Sequence, residues 1–79
     1  MEISKEEMKI LLHSQQGEMD AVLMYQALAK KVKDPTDAET FKRLAAEEGR
    51  HASVFKGYTN QVLKGKKTLA ALVSFLYNL

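Results

Sequence analysis

The chain has 79 residues, a net charge of +2 and no cysteine. A chain of this length forms one small domain at most, whose core seldom supplies more than about 3–5 kcal/mol of stability by itself. The lack of cysteine excludes disulfides, thiol catalysis and cysteine-ligated zinc or iron–sulfur sites, and the interspersed acidic and basic residues argue against nucleic acid as a partner.

The apolar residues repeat with the period of an α-helix, so the sequence predicts an all-α fold in a single domain over residues 1–79. A first helix is predicted over about 5–32, where Ser4 and Glu7 can form a capping box. A second helix is predicted over about 36–64. Because only a few residues connect these two helices, they should form an antiparallel hairpin.

A third, shorter helix is predicted over about 68–78, and it is apolar on nearly every side. Its run of about 12 apolar residues is too short to cross a bilayer, which needs about 20, so we expect a buried helix. Three preceding lysines, Lys64, Lys66 and Lys67, leave a membrane-surface protein anchored by this helix as an alternative. Residues 1–7 lack the basic and apolar segments of a signal peptide, so we expect a cytoplasmic location.

Each long helix carries ionisable residues within its apolar stripe. In the second helix, Glu48 and His51 are one turn apart and share a stripe that should be buried, where they need partners. The other members of that stripe are Phe41, Leu44, Ala45, Ala52, Phe55, Thr59 and Val62. In the first helix, Glu18 interrupts a similar stripe. Folding the hairpin about Lys33 and Asp34 places Glu18, Glu48 and His51 at one level, so these three side chains should meet.

Two carboxylates and one imidazole form an oxygen and nitrogen ligand set that suits iron or manganese. Ferritin-like four-helix bundles hold two metal ions with a Glu from each of two helices and a Glu-x-x-His pair from each of the other two. One copy of this hairpin supplies half of that set. We therefore expect a homodimer or higher homo-oligomer in which two hairpins form a four-helix bundle with two iron ions per dimer, and manganese and zinc remain open.

The first helix also has apolar residues outside the stripe that contains Glu18. Several apolar residues of that helix lie about 100° or more from the stripe that contains Glu18. They are Leu12, Met19, Leu23 and Met24. The third helix or another subunit should cover them.

The residues around the three predicted ligands have a distinctive spacing. They are Glu18, Ala21, Tyr25, Leu28, Ala29, Phe41, Leu44, Ala45, Glu47, Glu48, His51 and Phe55. This pattern resembles the first helix pair of the rubrerythrin branch of the ferritin-like superfamily over about residues 8–63. The resemblance implies a non-haem di-iron carboxylate centre with Glu18, Glu48 and His51 as metal ligands, Glu48 bridging the ions. It also implies ferrous-iron oxidation or peroxide-linked redox chemistry, the activity of a ferroxidase or peroxidase-type oxidoreductase.

The chain departs from this family's pattern at three points. Members with one complete site per chain have a second helix pair with its own Glu and Glu-x-x-His, so this chain is either a half-size protein or the amino-terminal part of a longer one. Without cysteine it has no rubredoxin module, and any electron donor is external. Peroxide-reducing members use a further carboxylate from the missing half of the bundle, and the counterpart in the first helix here is Ala21, which counts against a peroxidase.

The main alternative is a metal-free, self-associating helical interaction module. In that interpretation Glu18, Glu48 and His51 form a buried polar network that fixes the register of a dimer. The two hypotheses differ in one measurable property, since only a metal-binding protein gains thermal stability from the metal.

Neighbouring residues have secondary roles in these predictions. Tyr25 lies two turns from the first-helix carboxylate on the same face, and either hydrogen-bonds a metal-bound carboxylate or packs in the core. Glu47 is about 100° from the stripe and is left out of the ligand set. We expect Tyr58 to pack, His13 to be solvated, and Asp20 to be exposed or to cap a helix.

Overall fold

The computed structural model describes residues 2–77, and each of its three elements is an α-helix. In chain order they are α1 (Lys5–Lys31), α2 (Pro35–Thr59) and α3 (Lys67–Tyr77). The two long helices pack against each other as an antiparallel hairpin, and α3 packs against α1. The predicted all-α fold class and the helical hairpin are confirmed.

Local hydrogen bonds fix the starts of the two long helices. The hydroxyl of Ser4 accepts a bond from the Glu7 backbone N–H at 3.1 Å, and the Glu7 carboxylate accepts one from the Ser4 N–H at 2.9 Å. This is the predicted capping box. Because the Ser4 backbone N–H and then its side chain stabilise the carboxylate, the pKa of Glu7 is lowered. At α2, Asp34 caps the helix by accepting a bond from the Thr36 N–H at 2.8 Å.

The second helix ends at Thr59, five residues before the predicted end at 64. Asn60 adopts the left-handed conformation with φ 56°, which terminates the helix. The buried amide of Gln15 on α1 then holds the departing chain, because it accepts a bond from the Thr59 hydroxyl at 2.6 Å and donates one to the Gln61 carbonyl at 2.7 Å. Val62, predicted to lie in the helix stripe, is therefore outside the helix and 75% exposed.

The other helix limits lie close to their predicted positions. The first helix ends at Lys31 rather than 32, and α3 begins at Lys67 rather than 68. The predicted end of the third helix at 78 lies outside the described residues.

The segment between α2 and α3 is attached to α1. The Asp20 carboxylate accepts hydrogen bonds from the Lys66 backbone N–H at 2.6 Å and from the Gln16 amide at 2.8 Å. Burial raises the pKa of Asp20, but the bonds from Lys66 and Gln16, with the charge of Lys66, outweigh it and leave that pKa lowered. Gly65 lies so close to α1 that a Cβ atom there would be 2.5 Å from the Met19 carbonyl oxygen. This segment therefore covers part of the α1 surface that was predicted to need a cover.

The third helix is not buried, contrary to the prediction. Its Ala70 and Ser74 line a cleft with Leu23 and Ala27 of α1, but none of its described residues is buried. Leu72, Phe75 and Leu76 are 51%, 63% and 54% exposed. The reason is that within residues 2–77 this helix contacts α1 alone, so one face is covered and the rest is open. No helix in the same range is long and apolar enough to cross a membrane.

Candidate metal centre

The hairpin brings together the three residues that the sequence placed at one level, Glu18 on α1 and Glu48 with His51 on α2. His51 Nδ1 is 3.7 Å from Glu18 Oε2 and 3.8 Å from Glu48 Oε1. One ligand atom from each residue lies within 4.8 Å of the other two. These separations are too long for hydrogen bonds. The two distances from His51 suit ligands of a common ion, since donor atoms that are each about 2.1 Å from a metal lie roughly 3–4 Å from one another.

Small residues on α2 allow this convergence. Ala45 and Ala52 are buried against α1, at 6% and 4% exposure. Because alanine has only a methyl group, it lets two helix backbones approach closely. Glu48 and His51 lie between and beside these alanines, one turn apart, so the close approach brings Glu18 from α1 to them.

Burial differs among the three side chains. Glu18 and Glu48 are 26% and 22% exposed at the side chain, whereas His51 is 57% exposed. The expectation of burial is therefore wrong for His51 in the single chain, because no element within residues 2–77 covers that side of α2.

One carboxylate oxygen in the cluster lacks a partner. Glu18 Oε2 is buried, and within the described part of the chain no group donates a hydrogen bond to it. A buried carboxylate oxygen without a donor is costly. Since His51 Nδ1 and Glu48 Oε1 lie within 3.8 Å of each other and His51 Nδ1 lies 3.7 Å from Glu18 Oε2, a cation bound among the three would satisfy this oxygen.

Apolar residues extend from the cluster along the uncovered side of α2. Val54 and Tyr58, three and seven residues after His51, are each 60% exposed. At 100° per residue all three lie on one side of the helix. We call His51, Val54 and Tyr58 the open face. The prediction that Tyr58 packs is wrong for the single chain, because the open face has no covering element among residues 2–77.

Other residues singled out in the sequence lie near the cluster or apart from it. The ring of Tyr25 stacks on Phe41 with centroids 6.1 Å apart, so it packs between the helices, and a hydrogen bond from Tyr25 to a metal-bound carboxylate stays a prediction. Glu47 is not part of the group of three, as expected. His13 is exposed, and Asp20 bonds the Lys66 backbone N–H just before α3 rather than lying free in solvent.

The sequence analysis missed Gln15, whose side chain is 2% exposed. It lies one turn before Glu18 and bonds both Thr59 and Gln61. The available signal was Thr59, a polar residue on the buried stripe of α2 that requires a polar partner from the facing helix.

A family model described as rubrerythrin matches residues 9–75, which include all three residues of the cluster. Comparisons with curated proteins and with solved structures give no match.

Proposed function

The chain belongs to the rubrerythrin family, and on this premise we propose that it is a non-haem di-iron carboxylate protein whose metal site is completed by a second copy of the chain. The proposed ligands are Glu18, Glu48 and His51. The observation that carries the proposal is the buried Glu18 Oε2, which accepts no hydrogen bond within the described residues and lies beside a second carboxylate and an imidazole. Manganese meets the same ligand requirement.

The number of ligands supports a site shared between two chains. A dinuclear carboxylate site in a four-helix bundle uses four glutamates and two histidines. One hairpin offers two of the glutamates and one histidine, so two hairpins offer the full set. The open face supports the same arrangement, because a second hairpin packed there would cover Val54 and Tyr58 and bring two clusters together.

The chain's own residues would hold and orient the metal. Glu18 and Glu48 supply anionic oxygen, and His51 directs Nδ1 toward both carboxylates, which leaves Nε2 to carry the proton and to donate a hydrogen bond elsewhere. When bound, a pair of ferrous ions would supply two electrons, enough to reduce one hydrogen peroxide to two water molecules with the uptake of two protons. Since the chain has no cysteine, its own residues offer no thiol to return those electrons, and the donor is external. We propose ferrous-iron oxidation or peroxide-linked redox chemistry on this basis.

Native mass spectrometry with elemental analysis tests the proposal. Protein reconstituted with ferrous iron without oxygen should contain two iron ions per dimer. Glu48→Ala should lose most of this iron, whereas Glu47→Ala, which alters the adjacent carboxylate outside the cluster, should keep it. A metal-free dimer would instead support the self-associating interaction module, and an unchanged iron content in Glu48→Ala would show that the ligand assignment is wrong.

A second measurement tests the redox chemistry. The iron-loaded protein is mixed with dioxygen or with hydrogen peroxide, and ferrous iron and the oxidant are both quantified over time. Ferrous iron should disappear faster than in buffer containing the same amount of iron. If ferrous iron disappears equally fast with and without the protein, the proposed oxidoreductase activity is wrong and metal binding remains as the function.

A further inference from the structure

We infer that the metal controls association, so that two copies of the chain join at the cluster when it is loaded and separate when it is empty. The inference rests on the proposed function, because it requires the metal site to lie between two copies. It adds a regulatory property to that site: occupancy would set the oligomeric state.

Association would concentrate negative charge at the cluster. Each chain brings the carboxylates of Glu18 and Glu48 to one cluster, and both side chains are already about three-quarters buried. A second copy on the open face would therefore place four carboxylates together and remove the remaining water from them. Like charges repel more strongly as water is excluded, so an empty pair of clusters opposes association.

Without metal, the positive charge at the cluster is smaller than the negative charge. Within residues 2–77, the ion-pair partner of both carboxylates is His51, and no lysine or arginine pairs with either of them. A neutral His51 offsets none of the charge. A protonated His51 offsets one of the two carboxylates in its own cluster, so a net negative charge persists in either case.

Bound metal would neutralise the carboxylates of both clusters. Two divalent ions carry four positive charges, which balance the four carboxylates of a pair, and they would give Glu18 Oε2, which accepts no hydrogen bond within residues 2–77, a positive partner. The apolar contribution of Val54 and Tyr58 is the same with and without metal. The electrostatic balance at the cluster therefore decides whether the two hairpins associate.

Sedimentation equilibrium on the full chain tests the inference. The dissociation constant of the dimer is measured in the presence of EDTA and again after ferrous iron is added without oxygen. We expect iron to lower it by about tenfold or more, within the usual range of coupling between two binding events. Iron content is measured on the same samples.

The double variant Glu18→Gln with Glu48→Gln separates charge repulsion from other causes. Glutamine has nearly the same shape as glutamate but no charge, so in EDTA this variant should dimerise about tenfold more tightly than the wild type, and iron should not change its dissociation constant. Glu47→Gln is the matched control, because it removes one carboxylate beside the cluster and should keep the iron dependence. Circular dichroism checks that each variant retains its helices. The dissociation constant of the single variant Glu48→Gln in EDTA tests the same charge effect independently.

The outcomes separate the inference from the proposed function. If wild-type protein dimerises equally well in EDTA and in iron while binding two ions per dimer, the inference is wrong and the proposed function stands. If no iron binds, the proposed function fails as well. If the folded glutamine variants remain as weakly associated as the wild type in EDTA, carboxylate repulsion does not hold the empty chains apart, and the inference is overturned.

Discussion

The hydroxyl of Thr59, the last residue of α2, donates a hydrogen bond of 2.6 Å to the side-chain oxygen of Gln15 on α1. Both residues are buried, and the two are 44 positions apart in the chain. The same amide donates to the Gln61 carbonyl just beyond the helix. This polar contact holds the hairpin together one turn away from Glu18, and so contributes to the position of the proposed metal ligands.

Replacing Thr59 by valine should destabilise the protein, because valine keeps the shape of threonine but leaves the buried Gln15 oxygen without its donor. The expected cost is about 1–3 kcal/mol in the free energy of unfolding. Urea denaturation monitored by circular dichroism measures it. Thr40→Val is the control, since the Thr40 hydroxyl bonds only the Thr36 carbonyl of its own helix, and its effect should be clearly smaller. Equal effects would show that the Gln15 bond does not stabilise the fold.

The features that could be predicted from the sequence are those determined locally. Ser4 and Glu7 are three residues apart, so their capping box follows from sequence spacing alone. The meeting of Glu18 with Glu48 and His51 follows from helical periodicity and a short turn, because both helices rise equally from that turn.

The features that were missed depend on distant contacts. The chain that leaves α2 after the left-handed Asn60 is held by Gln15, which lies far away in the sequence and belongs to another helix. The exposure of α3 and of His51 could not be predicted either, because hydropathy indicates that a residue favours burial but not which element covers it.

Gly65→Ala should destabilise the attachment of the segment before α3. The new Cβ would be 2.5 Å from the Met19 carbonyl oxygen and 2.8 Å from Leu23 Cδ1, so the backbone at Gly65 or at Met19 must move. We expect a loss of about 1–3 kcal/mol in the free energy of unfolding, measured by urea denaturation. Gly57→Ala is the control, because nothing lies within 4 Å of its Cβ position in α2, and there alanine should be neutral or stabilising by up to about 1 kcal/mol. Similar losses at both positions would contradict the close approach at Gly65.

The capping box should make stability depend on pH at low pH. The pKa of Glu7 is lowered in the folded chain from its ordinary value of 4.5 by the Ser4 backbone and side chain. A group with a lowered folded pKa adds stability above its unfolded pKa and loses that stability as pH falls from there through the folded pKa. The melting temperature of wild type should therefore fall more steeply below pH 4.5 than that of Glu7→Gln, which keeps an acceptor but does not titrate. Glu6→Gln, which lies outside the capping box, should retain the wild-type slope, and a wild-type slope in Glu7→Gln would contradict the assignment.

Metal binding should raise the melting temperature through His51. A ligand that binds only the folded state stabilises it by about 2.7 kcal/mol at one hundred times its dissociation constant. Mn²⁺ suits the same ligands. Adding it without oxygen should therefore increase the melting temperature of the wild-type protein, measured by differential scanning calorimetry. His51→Ala should lose most of this increase, because Nδ1 is the nitrogen that faces both carboxylates. His13→Ala removes an exposed histidine outside the cluster and should keep the increase, so an equal response of the two variants would place the bound metal elsewhere.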